Sequence, residues 1–322
     1  DLGMGPLQGG LFLAKYNASG NLLWSRGFAA GDEPMASGIA VDSAGSVFIA
    51  GTFAGTADFG LEPLTTVFER DIFVAKFDAE GHSSWSKRLG GWGVYSVSNI
   101  AVDASGAVFI TGDFGGELDV GNEVFLTQGE TDAFLAKLDA DGNPLWGKRF
   151  GDERGQQAGG VAVDGTGDVL LTGSFAGTID VGGALLTSSG GKDVFLAKLD
   201  SSGNRLWSKR FGDTNDQEAT GIAVDGNGDV LLIGLFSGLL DFGGCPLPGA
   251  GREAFLARFD HFGRPRWSKH FSDIFGDLPG THVTGDAAGN ALLLGYFNGT
   301  IDLGGGPIGS PTPSLFIANF AP

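Results

Sequence analysis

The feature that most constrains this chain is a repeat of about 61 residues that runs through its whole length. An aspartate recurs at an unbroken spacing of 61 residues, at Asp42, Asp103, Asp164, Asp225 and Asp286. Phenylalanines and tryptophans recur at spacings of 61 or 60 in neighbouring runs. A unit of this size cannot bury both faces of its own sheet, so it must stack on its neighbours. The period predicts a β-propeller or a related array.

Each copy reads as two hairpins joined by a longer segment. "GIAVD" leads through a glycine turn into a strand such as "DVLLTGSF", and "FLAKLD" turns in the same way into "LWSKRF". The segment between them, such as "GTIDVGGALLTS", alternates enough for a small extra hairpin. Complete first hairpins occur five times. We therefore predict an all-β fold: a β-propeller of five blades of about 61 residues each, with four strands per blade and an extra small hairpin between the second and third strands.

Composition bounds the protein further. The repeat covers residues 1 to 322 as a single predicted domain, although a window from a longer repeat array is compatible with the same pattern. A net charge of −18 argues against a nucleic-acid partner and favours cationic or neutral ones. Cys245 is the single cysteine, so no intrachain disulfide or cysteine metal cluster is expected. No apolar run is long enough to predict a membrane span.

The repeated units carry a resemblance. "DVFLAKLDSSGNRLWSKRFGD" followed by "GIAVDGNGDVLLIGLF" resembles the bacterial SBBP-type β-propeller repeat, and "GIAVD" followed by x-x-Gly is also similar to NHL-type propeller repeats. The resemblance implies a propeller in a large secreted or cell-surface bacterial protein. It implies no particular activity, since one fold carries many functions.

Most repeated polar and aromatic residues have a structural explanation. The repeated tryptophans are predicted to be core wedges between blades, because a repeated residue answers a repeated structural need. Lys76, Lys137 and Lys198 are predicted to pair with a repeated carboxylate or to spread along the outer strands. The Asp225, Asn227 and Asp229 spacing resembles a calcium loop, but a hairpin turn explains it better. We predict no cofactor, no metal site and no catalytic residues.

The departures from the repeat lie mainly in loops that follow the "WSKRF" strands. These loops are predicted to share one elaborated face, where binding concentrates on rigid scaffolds. The candidate ligand-binding residues are Asp32, Glu33, Trp92, Tyr95, Asp152, Glu153, Asp213, Asp216, Glu218, Asp273 and Asp277. The alternative is a solvated polar rim with an aromatic side chain folded over a neighbouring blade.

These observations predict a non-catalytic binding module of a secreted or cell-surface bacterial protein, with its ligand on the long-loop face. Its expected partner is a protein or a polysaccharide, and a cationic or amphipathic ligand is favoured by the acidic loops. Two alternatives stay open: a lectin with repeated sites in its "TxDxGG" segments, and a glycosidase-like enzyme with a carboxylate pair in a central funnel.

Overall fold

The computed structural model of the protein describes residues 5–272 and 282–322. Its described residues form strands, turns and loops and contain no helix, in agreement with the predicted all-β fold. Consequently, no membrane-crossing helix is found in the part of the chain that the structure describes. The chain divides into two compact units, Asp1–Arg149 and Phe150–Pro322. The prediction of one domain over the whole chain stays a prediction.

The first unit contains two complete antiparallel sheets and an additional strand pair. Its strands are β1 (Leu11–Tyr16), β2 (Leu22–Val41), β3 (Val47–Asp58), β4 (Leu64–Thr65), β5 (Asp71–Phe77), β6 (Ser83–Leu89), β7 (Gly93–Val102), β8 (Val108–Asp119), β9 (Val124–Leu126), β10 (Asp132–Leu138) and β11 (Pro144–Phe150). The first half of β2 pairs with β1 and its second half pairs with β3, so this one long strand serves two successive sheets. The order β7-β8-β10-β11 forms the next sheet.

The second unit repeats this meander. Its strands are β12 (Gln156–Val163), β13 (Val169–Phe175), β14 (Thr178–Asp180), β15 (Leu185–Thr187), β16 (Asp193–Leu199), β17 (Arg205–Phe211), β18 (Gln217–Val224), β19 (Val230–Phe236), β20 (Leu239–Leu240), β21 (Leu247–Pro248), β22 (Glu253–Phe259), β23 (Pro265–Phe271), β24 (His282–Gly285), β25 (Ala291–Asp302) and β26 (Pro307–Phe320). The orders β12-β13-β16-β17 and β18-β19-β22-β23 are four-stranded sheets, and β24-β25-β26 is three-stranded. The extra hairpins β14-β15 and β20-β21 lie where the sequence predicts them.

The tight turns have the predicted chemistry. Asp42 Oδ1 accepts hydrogen bonds from the backbone N–H groups of Ala44 and Ser46, and Gly45 has a φ of 81°. A positive φ is readily adopted by glycine, which has no Cβ to clash. The same arrangement recurs at Asp286, whose Oδ1 accepts from Ala288 and Asn290.

The cores lie between successive sheets within each unit. In the strand "DIFVAKF", Phe73 and Phe77 pack with Trp24 and Phe28 of the preceding strands, whereas Ile72 and Val74 pack into a different cluster that includes Tyr95. One strand thus contributes to two cores, and its seven residues are nearly all buried. This alternation explains the stacking requirement that the repeat length implies.

Candidate functional site

Three loops that follow the outermost strands share one geometry, and we call residues 90–95, 151–156 and 212–217 the rim loops. In the third of them, Gln217 Oε1 accepts from Asp213 N at 3.0 Å and Gln217 Nε2 donates to Ser237 O at 2.9 Å. Gln156 makes the equivalent bonds with Asp152 N and Ala176 O. Both glutamines are fully buried, so they tie each loop to the following hairpin.

Tyr95 takes the place of this glutamine in the first rim loop. Its hydroxyl accepts from Gly91 N at 2.5 Å, at the position equivalent to Asp152 and Asp213, and donates to Glu117 O at 2.5 Å. This carbonyl lies two residues beyond the position equivalent to Ala176 and Ser237, which the glutamines bond. The ring is 8% exposed, and burial raises the pKa of the Tyr95 hydroxyl to about 12. Tyr95 was predicted as a ligand-binding aromatic, but the structure places it inside as the anchor of its loop.

Two of the predicted acids, Asp152 and Asp213, accept hydrogen bonds from the extra hairpins. Asp152 Oδ2 accepts from the N–H and the hydroxyl of Thr178, at 2.8 and 2.7 Å. Burial opposes the ionisation of Asp152, yet these bonds and the one from Arg154 N outweigh it and lower the pKa. Asp213 Oδ2 similarly accepts from Leu239 N, and its pKa is lowered despite the opposing effect of burial. Each carboxylate therefore joins a rim loop to its extra hairpin.

Asp216 and Glu218 come together with two cations on the second unit. Glu218 pairs with Lys192 at 3.0 Å and with Arg252 at 2.7 Å, and Asp216 Oδ1 accepts from Lys192 N. Asp216, Glu218 and Arg252 line a small cavity of about 80 Å³. These two acids are close together, but Glu218 is paired with two cations and Asp216 accepts a backbone hydrogen bond.

The other predicted residues lie apart or outside the description. Glu153 is exposed on its rim loop. The backbone of Asp32 is in β2, opposite Ala54, with Glu33 following it in the same strand. Asp273 and Asp277 lie outside the described residues. In the described part of the chain, no group of three His, Cys, Asp or Glu side chains is arranged to hold a metal ion.

The spacing that resembles a calcium loop belongs to a turn. Asp225 Oδ1 accepts from the N–H groups of Asn227 and Asp229, as a hairpin turn requires. Asp225 Oδ2 and Asp229 Oδ2 both accept from the guanidinium of Arg258, which is 1% exposed. The carboxylates are therefore committed to a buried ion pair.

Trp92 is the predicted aromatic residue that the structure leaves exposed. It is 64% exposed, and its ring stacks against that of Phe68, which is 43% exposed, with the centroids 5.1 Å apart and the planes tilted by 40°. We call these two residues the aromatic pair. Their chain neighbours Val67 and Val94 are 49% and 61% exposed. Together they form exposed apolar surface on a protein whose other phenylalanines are mostly buried.

Phe68 was not among the predicted site residues. At the equivalent positions 61 and 122 residues later the chain has Gly129 and Gly190, while Glu153 and Thr214 stand at the positions equivalent to Trp92. Both members of the aromatic pair thus depart from the repeat. The same comparison of copies that singled out Trp92 would have found Phe68, had it been extended to the extra-hairpin segment.

The surroundings of the aromatic pair are acidic. Glu69 follows Phe68 and is exposed. A methyl group placed at Gly91 would lie 2.8 Å from Glu117 Oε1, so this carboxylate is beside the residue that precedes Trp92. The nearby cations are engaged internally: Arg88 pairs with the buried Asp71 at 3.0 Å, and Arg70 Nη1 donates to Thr52 Oγ1.

The repeated aspartates of the "TxDxGG" segments are used in turns. Asp58, Asp119 and Asp302 each accept, through Oδ1, the N–H of the glycine two residues later. A sugar-binding site in every blade would therefore have to use carboxylates that already accept backbone hydrogen bonds.

Comparisons with known proteins agree with a repeat architecture. No family model matches the chain. The chain is 23% identical over 396 residues to the regulatory protein FlaEY of Caulobacter vibrioides, covering 94% of this chain and 41% of that protein. It is 24% identical over 200 residues to the uncharacterized WD repeat-containing protein L264 of Acanthamoeba polyphaga mimivirus, covering 52% of this chain and 14% of that protein.

The chain therefore spans less than half the length of these two relatives. A solved structure from Bacteroides caccae, a protein of unknown function, is similar with a TM-score of 0.44 and 9% identity, covering 89% of this chain and 82% of that one. WD repeats are propeller repeats. The sequence period, the four-stranded meanders and the WD-repeat relative support a β-propeller repeat protein.

Proposed function

We propose that the protein is a non-catalytic binding module of a secreted or cell-surface bacterial protein, and that the aromatic pair binds a cationic, amphipathic segment of a protein partner. One observation carries this proposal: two exposed aromatic rings stack at positions where the two following copies have glycine or a polar residue. A scaffold requirement would recur with the repeat. An unrepeated aromatic patch instead has the composition of binding hot spots.

The charge around the aromatic pair favours a cationic partner. Lysine or arginine side chains gain from the face of an exposed tryptophan as well as from Glu69 and Glu117. Apolar side chains of the same segment would cover Val67 and Val94. The net charge of −18 would speed the encounter at low salt, while screening beyond about 8 Å at physiological salt leaves only local contacts.

A synthetic lysine–leucine amphipathic peptide tests this proposal by calorimetric titration at low and physiological salt. Phe68→Gly introduces the residue found at positions 129 and 190, so the fold should tolerate it. We expect this variant to weaken binding about tenfold or more. The control, Leu126→Ser, removes an apolar side chain of the same unit that is even more exposed, at 65% against 43% for Phe68. Equal affinities for both variants would contradict the assignment.

We further propose the finer architecture of a five-bladed propeller. The described strands include five copies of the first hairpin, formed by β2-β3, β7-β8, β12-β13, β18-β19 and β24-β25. A closed ring removes exposed sheet edges. A compact chain of 322 residues should have a radius of gyration of about 20 Å in solution scattering. A clearly larger value would indicate an open array. The lectin and glycosidase alternatives stay predictions.

A further inference from the structure

A second departure from the repeat opens a groove on the first unit, away from the aromatic pair in sequence. The side groove is lined by Arg26, Phe28, Asp58, Phe59, His82 and Ser83 among others, and its volume is about 510 Å³. Sites for small ligands typically measure about 300–1,000 Å³. The groove is therefore large enough to hold a small molecule or one part of a longer chain.

The groove is lined by a smaller side chain than the following copies have at the same position. At the positions equivalent to Ser83, the other copies have Pro144, Arg205 and Pro265. A methyl group added to Gly121 would lie 2.5 Å from Pro144 Cγ, and one added to Gly182 would lie 3.0 Å from Arg205 Cβ. Ser83 Oγ also lies 3.0 Å from a methyl group added to Gly60, so serine keeps this contact but lacks the bulk of the larger side chains.

The cation beside the groove also differs from its counterparts. In two other copies the equivalent lysine lies over a turn glycine. Lys87 Cε would be 3.0 Å from a methyl group added to Gly142, and Lys209 Cε would be 2.8 Å from one added to Gly263. At Gly81 the nearest atoms belong to the Trp24 ring, and Arg26 instead donates from Nη1 to its neighbour's carbonyl, Ser25 O. No ion pair between Arg26 and a carboxylate is found among the described side chains.

The lining of the groove combines a cation, a carboxylate, a histidine and two phenylalanines. Phe28 and Phe59, with centroids 5.6 Å apart, lie beneath the groove as part of the buried core. Arg26 provides a fork of donors suited to a carboxylate. Asp58 is exposed and uses Oδ1 for Gly60 N, and the exposed His82 uses Nδ1 for Asp78 Oδ2, so each retains one further polar atom for a ligand.

Although the net charge of −18 favours cationic or neutral partners, Arg26 is a local cation in this groove. We propose that the side groove binds a carboxylated sugar, such as a single hexuronate residue of a polysaccharide. Such a ring carries a carboxylate for Arg26 and hydroxyls for Asp58 and His82. A neutral hexose would leave the guanidinium without its anionic partner, so the site should discriminate against it. This site is separate from the aromatic pair, and either proposal can fail without the other.

Calorimetric titration of the whole protein with trigalacturonate and with neutral trigalactose tests this inference. We expect trigalacturonate to bind and trigalactose to bind at least about tenfold more weakly. Ser83→Pro installs the residue present at positions 144 and 265, so it should fold, fill the groove and abolish binding. Arg26→Gln should weaken trigalacturonate about tenfold or more, whereas the equivalent Lys87→Gln and the remote Trp92→Thr should not. Equal binding of both sugars, or full binding by Ser83→Pro, would overturn the proposal.

Discussion

At the scale of single residues, a comparison of the copies shows how the residue at one position depends on the residue that it contacts. Asp71 and Asp193 are fully buried at the start of their strands, and a methyl group at Gly90 or Gly212 would collide with them. In the first copy, by the 61-residue period, Gly10 replaces the aspartate and Ala29 replaces the glycine. In these three copies a side chain is thus present on one side of this contact or the other, but not on both.

Gly212→Ala should therefore be strongly destabilising. The added methyl meets both Asp193 and Gln217, and overpacking of this kind costs about 1–3 kcal/mol. Gly228→Ala is the matched control, since its φ of 80° is also positive but no atom lies within 4 Å of the added methyl. Urea unfolding of both variants measures the difference. A loss of stability at Gly228 as large as that at Gly212 would show that backbone strain, not the collision, decides the cost.

The lowered pKa of Asp213 makes a prediction about acid. A carboxylate whose folded pKa lies below its unfolded value, here 3.8, stabilises the fold fully above that pH. The contribution is lost as the pH falls through the lower, folded pKa. The melting temperature of Asp213→Asn should therefore lie below that of the unchanged protein at neutral pH, and the gap should close below pH 3.8. The exposed Glu153→Gln serves as control, and a pH-independent gap would refute the linkage.

At the scale of elements, the turns were predictable and the rim loops were not. A turn is decided by neighbouring residues, such as Asp42 and Gly45, so its chemistry is visible in the sequence. The rim loops are held by partners about 20 residues away, as Gln217 is by Ser237 O. Sequence reasoning therefore treated Asp152 and Asp213 as loop acids open to a ligand, although both are engaged by hairpin backbone groups.

Tyr95 tests this view of the rim loops. Tyr95→Phe keeps the buried ring but leaves Gly91 N and Glu117 O without their shared partner. Unsatisfied buried polar groups cost about 1–3 kcal/mol each, so chemical denaturation should show a loss in that range. Ser96→Ala, at the exposed neighbouring position, should change stability by less than about 0.5 kcal/mol. A Tyr95→Phe variant as stable as this control would mean that the hydroxyl does not anchor the loop.

At the scale of the whole molecule, the period predicted the meander and the extra hairpins because stacking sheets impose the same demand on every copy. The period does not predict the features formed by residues that differ between the copies. The effect of stacking is visible at one repeated position. Phe12 in the first strand is 66% exposed, whereas the equivalent residues of the later copies are fully buried: Phe73, Phe134, Phe195 and Phe255. The comparison of copies found Trp92 but not Phe68 or the side groove, because each of these sites combines departures from different segments.

Removal of residues 1–28 should expose the face of the sheet that they cover. Trp24 and Phe28 pack on Phe73 and Phe77, with the Phe28 and Phe77 rings 5.1 Å apart. Losing this cover exposes several fully buried aromatic side chains, each of which contributes several kcal/mol when buried. The truncated protein should melt earlier or self-associate in size-exclusion chromatography. An unchanged melting temperature in a monomeric truncation would contradict this packing.

The most direct test of the central claim compares two tryptophans in one pair of measurements. Trp92 departs from the repeat and is exposed, whereas Trp85 belongs to the repeat and donates from Nε1 to Ala140 O at 2.9 Å. Affinity for the lysine–leucine peptide and melting temperature are measured for Trp92→Thr and Trp85→Thr. We predict that Trp92→Thr weakens binding about tenfold or more at an unchanged melting temperature, while Trp85→Thr lowers the melting temperature. Full binding by a folded Trp92→Thr variant would contradict the account.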